Sequence, residues 1–286
     1  MPTVRDLLTA AVPQLTAAGV DSPRLDAELL LAHVLGHDRP WLWTHLDAPL
    51  SPVLLAEFHR LLARRLQREP LPYLLGEWEF YGRPFLVTPA VLIPRPETEL
   101  LVEAVLTWAI AQQAKRIADI GTGSGAIGVT LAAELPALHV LAVDISPSAL
   151  HIARQNAERN GVGERMRFLE GDLLEPLRQT GEIPVDAIVA NLPYIAEEQF
   201  PDLMPEVRTY EPSLALAGGP GGLEIIKRII TDSPGVLAPG GLLALEVGEG
   251  QAEDVATLLT AAAWRQVRII DDYAGIHRHV LAEVGS

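Results

Sequence analysis

The sequence predicts an α/β fold: a mainly parallel seven-stranded sheet with an antiparallel last strand, preceded by a small all-helical domain and a β-hairpin linker. Three patterns carry this reading. Apolar residues recur at helical spacing up to about Arg68, aromatic and β-branched residues flank Gly82, and from Glu97 onward strand-length apolar runs alternate with helical stretches. The expected boundaries are 1–72 for the helical domain, 73–92 for the hairpin linker and 93–286 for the α/β domain.

In the first segment the helical stripe is read from Leu25, Leu29, Ala32, Val34 and Leu35, and again from Leu54, Leu55, Phe58, Leu61, Leu62 and Leu66. Breaks fall where Pro and Gly cluster, around Gly19 to Pro23, Gly36 to Pro40 and Pro49 to Pro52. The segment Tyr73 to Val87 then reads as a hairpin turning at Gly82. A helix starts at Glu97-Thr98-Glu99, with acids in the first turn, where they favour the helix dipole. Strands follow at Arg116–Ile120, Val140–Asp144, Arg167–Leu169, Val185–Ala190 and Leu242–Val247, mostly separated by helices, which indicates a mainly parallel sheet. Val267–Ile270 and Arg278–Val284 are joined by a short loop containing Ala274-Gly275, so these two strands are expected to pair antiparallel at a sheet edge.

With 286 residues, 49% of them hydrophobic, the chain can bury a large core. It has no cysteine, which excludes disulfides, thiolate metal sites and cysteine nucleophiles and suits a reducing compartment. Neither a basic-then-apolar leader nor a bilayer-length apolar window is present, so a cytoplasmic location and no membrane partner are expected. The formal charge is −15, from 22 basic and 37 acidic side chains, and direct nucleic-acid binding is not expected. Almost all of that surplus lies beyond residue 76, an asymmetry that hints at two modules. His277 and His279 alternate on a terminal strand without a third ligand, and His33 and His37 lie one helical turn apart; neither pair reads as a metal site. Trp41 and Trp43 read as core or domain-interface residues.

The chemistry-bearing signals lie at strand ends. The first α/β strand runs through Asp119 into Gly121-Thr122-Gly123-Ser124-Gly125, where glycines let the backbone approach a ligand and take positive φ. The second strand ends in Asp144, a carboxylate placed to accept both hydroxyls of a ribose. Gly123 to Gly128 satisfies the dinucleotide fingerprint, but the glycines begin earlier, directly after Asp119, in the Asp-x-Gly-x-Gly-x-Gly arrangement of Rossmann-like methyltransferases. That favours S-adenosylmethionine, with S-adenosylhomocysteine as product. Past the third strand, Gly171-Asp172-Leu173 reads either as a contact to the adenine amino group or as a surface turn. The expected cofactor-binding set is therefore Gly121, Thr122, Gly123, Ser124, Gly125, Asp144, Asp172 and Leu173, with Asn191 beside it.

Asn191-Leu192-Pro193-Tyr194 follows the apolar fourth strand, and so belongs at the same sheet edge. An amide NH2 has two donors and a lone pair delocalised into its carbonyl. If the Asn191 side-chain oxygen and the Leu192 carbonyl each accept one N–H, the nitrogen is held with its π-face towards an electrophilic methyl, and Tyr194 can pack flat on the planar group. Asn191, Leu192, Pro193 and Tyr194 are the expected catalytic residues.

Together these segments resemble the glutamine N(5)-methyltransferases of peptide chain release factors. The resemblance covers essentially the whole chain. It rests on Tyr73 to Gly76 with Phe80-Tyr81-Gly82, on Val91 to Glu99, on the glycine loop, on Asn191 to Tyr194, on Glu211-Pro212, Ala215-Leu216 and Gly218-Gly219, and on Asp271 to Gly275. It implies a helical N-terminal domain that grips the release factor and a catalytic domain that methylates the glutamine of its Gly-Gly-Gln loop, with Asn191, the Leu192 carbonyl and Tyr194 holding that glutamine. Leu192 departs from the family's usual proline. The carbonyl is kept, while the fixed φ is lost and a new N–H must find a partner. Rival readings are a glutamine methyltransferase of a ribosomal protein and an adenine-N6 nucleic-acid methyltransferase, whose target amine is equally planar. More distant are a dinucleotide oxidoreductase and a non-catalytic scaffold.

Overall fold

A computed structural model describes residues 1–285. The chain divides into two units, one of Met1–Glu77 with Met204–Tyr210 and the other of Trp78–Leu203 with the chain from Glu211 onward.

The first unit is helical: α1 (Val4–Ala17), α2 (Pro23–Leu35), α3 (Arg39–Thr44), α4 (Pro52–Leu66) and α5 (Leu71–Leu75). Thr3 and Asp6 form a capping box at the start of α1, and Asp38 and Ser51 cap α3 and α4 through their side chains. The apolar stripe of α4 is buried at Phe58, Leu61 and Leu62, whereas that of α2 is rotated from the expected register. Leu25 is exposed, and the buried face carries Ala27, Leu30 and Leu31 together with Asp26 and Glu28. Those carboxylates are buried because each is paired: Asp26 accepts from Arg65 Nε at 2.7 Å, and Glu28 from Arg39 and Arg24. Burial still pushes the Asp26 carboxyl above its ordinary pKa.

The short helix Pro205–Tyr210 joins this unit from far along the sequence. Glu206 accepts from Arg65 at 3.0 Å and from both Nε and Nη2 of Arg68 at 2.6 Å, and the Tyr210 hydroxyl donates to the Gln67 carbonyl. Trp41 stacks between His37 and His45, with ring centroids 4.0 Å away on each side, and Trp43 is exposed rather than buried.

The hairpin is β1 (Glu77–Phe80) and β2 (Arg83–Leu86), shorter than the expected Tyr73 to Val87 because residues 73–75 complete the helix α5, which Gly76 ends with a positive φ, and the second unit takes up the chain from Trp78. Tyr81 and Gly82 both take positive φ, as a two-residue turn matched to strand twist requires. Then come α6 (Glu97–Gln112), β3 (Arg116–Ile120), α7 (Ala126–Glu134), β4 (His139–Asp144), α8 (Pro147–Arg159), β5 (Met166–Glu170), α9 (Glu175–Thr180) and β6 (Val185–Asn191). After the Pro205–Tyr210 helix, α10, the chain forms α11 (Glu224–Asp232), β7 (Leu237–Glu246), α12 (Ala252–Ala261), β8 (Arg265–Asp271) and β9 (His277–Glu283). The seven strands order β5-β4-β3-β6-β7-β9-β8, with β9 antiparallel to both neighbours.

Strand alternation sorts the core into two layers. Ile117, Val140, Val189, Ala244 and Leu281 face α6 and α7, whereas Ile120, Leu141, Ile188, Leu245 and Val280 face α11 and α12. The chain leaves the central strand β3 towards β4 and β5, then returns to pair β6 on the opposite flank. That reversal opens a crevice beyond the carboxyl ends of β3, β4 and β6, the place where such sheets take ligands.

Candidate active site

A cavity of ≈ 340 Å³ fills that crevice, within the usual range for small-molecule sites. Of the residues singled out in the sequence, Gly121, Thr122, Gly123, Ser124, Asp144, Asp172, Leu173, Asn191, Leu192 and Pro193 border it, while Gly125 and Tyr194 do not.

The loop after β3 is built from backbone. Gly121 N and Thr122 N both donate to the Val143 carbonyl, and Gly123 N donates to Asp144 Oδ2 at 2.9 Å. Ser146 N donates to the other Asp144 oxygen at 2.9 Å. Asp144 is thus fixed by two main-chain donors, although burial raises its pKa. Gly121, Gly123 and Gly125 all have positive φ. Their surroundings differ. A Cβ on Gly125 would press on Val129 and Ala153, so that glycine serves helix packing, whereas a Cβ on Gly121 would meet Leu192 Cδ2 at 3.1 Å, where the two sequence motifs touch.

Asp119 lies beneath the loop, fully buried. Its Oδ2 accepts from Thr122 Oγ1 at 2.6 Å and from Gly128 N at 2.9 Å, and burial pushes its pKa up to about 6. A Cβ at position 128 would fall 2.8 Å from that same oxygen. The last glycine of the apparent dinucleotide fingerprint is therefore required by the close approach of α7 to the Asp119 carboxylate inside the fold. At the far end of the cavity Asp172 is paired with Arg228, and Leu173 is buried in a positive-φ conformation.

Asn191 ends β6. Its Nδ2 donates to Glu246 Oε1 at 2.8 Å and to Thr98 Oγ1 at 3.3 Å, while its Oδ1 makes no hydrogen bond among the described residues. Leu192 is buried. Tyr194 is held by its backbone: its carbonyl accepts from Gln251 Nε2 at 2.9 Å, and Ile195 N bonds to the Leu216 carbonyl. A Cβ on Gly222 would lie 2.2 Å from the Tyr194 oxygen, and one on Gly218 2.8 Å from its Cα, so only glycine allows this approach. Burial pushes the Tyr194 phenol up to about 12.

Family models place this arrangement among known proteins. Residues 6–76 match the PrmC N-terminal domain, and residues 96–206 match the Methyltransferase small domain. Over 281 residues, 98% of each chain, the sequence is 46% identical to the release factor glutamine methyltransferase of Moorella thermoacetica. It is 44% identical to the one from Geobacter sulfurreducens, over 99% of this chain and 97% of that one. This chain belongs to the release factor glutamine methyltransferase family. A solved structure of the hMettl16 catalytic domain shares the fold, with a TM-score of 0.55 at 17% identity, over 79% of this chain and 91% of that one.

Within this family frame, several side chains that shape the site escaped the sequence reading. Glu246 stands alone as an acid in the apolar run Leu242 to Val247, and that isolation is its sequence signal. Asn156 on α8 is fully buried and ties the glycine loop to the end of the hairpin strand β2, through Ser124 O, Leu86 O and Leu86 N. Arg95 pairs with Glu211 at 2.5 Å, and Glu211 also accepts from Ile93 N, which accounts for the separated motifs at Pro94 and Glu211. His277 is half exposed beside Glu253 and Asp271, whereas His279 is buried.

Proposed function

We propose that this protein transfers a methyl group from S-adenosylmethionine to the side-chain amide nitrogen of the glutamine in the Gly-Gly-Gln motif of peptide chain release factors, in the cytoplasm. The observation that carries this reading is the orientation of Asn191: its NH2 is engaged by Glu246 and Thr98, which leaves its oxygen as an acceptor beside the cavity. Family membership supports the same substrate.

In this reading Gly121 to Ser124 give open backbone beside the methionine and ribose, with Gly125 packing the helix that follows, Asp144 accepts the ribose hydroxyls, and Asp172 and Leu173 border the adenine. The donor, when bound, supplies an electrophilic methyl on a sulfonium and leaves as S-adenosylhomocysteine. Asn191 Oδ1 and the Leu192 carbonyl each accept one N–H of the substrate amide, Pro193 fixes the turn that presents that carbonyl, and Tyr194 restricts rotation of the planar group. The nitrogen gains a carbon and loses a proton to water, so no side chain of tuned pKa is required. The gain comes from alignment, which in favourable cases supplies on the order of 7–11 kcal/mol. Residues 1–72 serve as the docking domain for the protein substrate, 73–92 as the linker and 93–286 as the catalytic domain.

Two measurements test this reading. Labelled methyl should pass from the donor to an intact release factor and not to one whose Gly-Gly-Gln glutamine is changed to glutamate; equal labelling of both would refute the assignment. Asp144→Ala removes an ionised acceptor of hydroxyl donors, worth roughly 1.5–3 kcal/mol per bond. Calorimetry should accordingly show cofactor binding weakened by at least about tenfold to a hundredfold, the loss from a single such bond. Unchanged affinity would remove Asp144 from the cofactor site.

A further inference from the structure

Asn191, Glu246 and His279 are consecutive partners in register across β6, β7 and β9, so they lie side by side at one edge of the sheet, on the face that α6 covers. Glu246 is 2% exposed, and Thr98, in the first turn of α6, is 4% exposed. Their hydrogen bonds close a triangle. Thr98 Oγ1 donates to Glu246 Oε2 at 2.7 Å, Asn191 Nδ2 donates to Glu246 Oε1 at 2.8 Å, and the same Nδ2 reaches Thr98 Oγ1 at 3.3 Å. His279 Nε2 lies 3.7 Å from Glu246 Oε2, and neither ring nitrogen of this fully buried histidine has a hydrogen-bond partner among the described residues.

The triangle has a direction. A carboxylate can only accept, so Glu246 can engage the NH2 end of Asn191 and never the oxygen end. Thr98 has one hydroxyl proton; with that proton given to Glu246, it too can only accept from Asn191. The two ends of a primary amide are nearly the same size, and packing alone hardly distinguishes them; hydrogen bonding does. Burying a carboxylate is costly unless it is well bonded, and an apolar pair would fill the same space at lower cost. The arrangement therefore calls for a role other than stability.

We propose that Glu246, acting with Thr98, is a positioning residue: it fixes which way the Asn191 amide points, and thereby makes the site an acceptor for the N–H of an incoming amide. The proposal rests on the reading that Asn191 Oδ1 holds the substrate nitrogen. Glutamine at position 246 has almost the same shape but presents donor and acceptor ends, so it tolerates both orientations of Asn191. With Asn191 reversed, its NH2 would face the substrate NH2, donor against donor.

The test uses the full-length protein and an intact release factor in single-turnover methyl transfer, with S-adenosylhomocysteine affinity measured in parallel. Glu246→Gln should slow transfer by roughly tenfold to a hundredfold, the scale of a misplaced reacting group, with affinity kept within about twofold. Thr98→Ser, which keeps the hydroxyl, should run near the parent rate, and Thr98→Val should lose most of what Glu246→Gln loses. In an Asn191→Ala background Glu246→Gln should add nothing, because it acts through Asn191. A parent rate for Glu246→Gln, a Thr98→Ser as slow as Thr98→Val, or an undiminished effect of Glu246→Gln without Asn191 would each overturn the proposal. Should Glu246→Gln fail to fold, the two Thr98 variants decide alone. A parent rate for Asn191→Ala would instead bring down the underlying reading.

Discussion

Asn191→Ala is expected to lower single-turnover methyl transfer to a release factor by roughly a hundredfold or more, with cofactor affinity little changed. The substitution deletes the oxygen assigned to the substrate amide and leaves that amide free to rotate about its terminal bond. It also removes a donor from Glu246 Oε1, 2.8 Å away, and that donor is the one fixing the side chain's direction. Because the lost contact is made to the reacting group, the deficit belongs in kcat and not in KM. Asn191→Asp is the sharper companion. It keeps acceptor oxygens but sets a second carboxylate against Glu246, and two like charges at that distance cannot both ionise freely. That variant should therefore be slow as well. A parent rate for Asn191→Ala would exclude the side chain from the chemistry.

The largest expected loss of stability is at Asn156, which takes no part in the proposed reaction. Its side chain gives Nδ2 to the Ser124 carbonyl at 2.8 Å and to the Leu86 carbonyl at 3.0 Å, and its Oδ1 accepts from Leu86 N at 2.7 Å. Asn156→Ala leaves three backbone groups without these partners around a side chain that is itself fully buried. At about 1 kcal/mol or more for each abandoned group, the cost is about 3 kcal/mol or more. For a unit of this size that lowers the thermal midpoint by roughly 6–12 °C, which calorimetry would register. Ser124 belongs to the glycine loop, so cofactor binding should weaken along with stability. An unchanged midpoint would mean that relaxation or water replaces all three bonds.

Much of this architecture could be read from the sequence because the relevant signals are local. β3, β4 and β6 are short apolar runs, the first leading into Gly121 and the others ending in Asp144 and Asn191, and strand alternation then dictates which residues face each layer. Tyr81-Gly82 declares its turn by chemistry. Other features depend on partners distant in sequence. The stripe of α2 was misplaced because Asp26 and Glu28 look like surface residues until Arg65, Arg39 and Arg24 are brought to them. The helix Pro205–Tyr210 joins the N-terminal unit through Arg65, Gln67 and Arg68, which lie about 140 residues earlier. β7 begins at Leu237, five residues before the expected Leu242, since Pro239-Gly240-Gly241 reads as a break yet is carried within the strand. Asn191 was legible as an acceptor. Its orientation was not, because Glu246 and Thr98 come from other elements and meet it only in the fold.

The central claim is that the substrate amide is held by Asn191 and the Leu192 carbonyl with its nitrogen turned towards the donor methyl. A crystal structure of the protein with S-adenosylhomocysteine and a Gly-Gly-Gln peptide tests it most directly. The account predicts the glutamine nitrogen within hydrogen-bond distance, roughly 2.7–3.2 Å, of both Asn191 Oδ1 and Leu192 O, with the cofactor sulfur across from its π-face. A glutamine seated with its carbonyl oxygen at those two acceptors, or outside the crevice altogether, would contradict it.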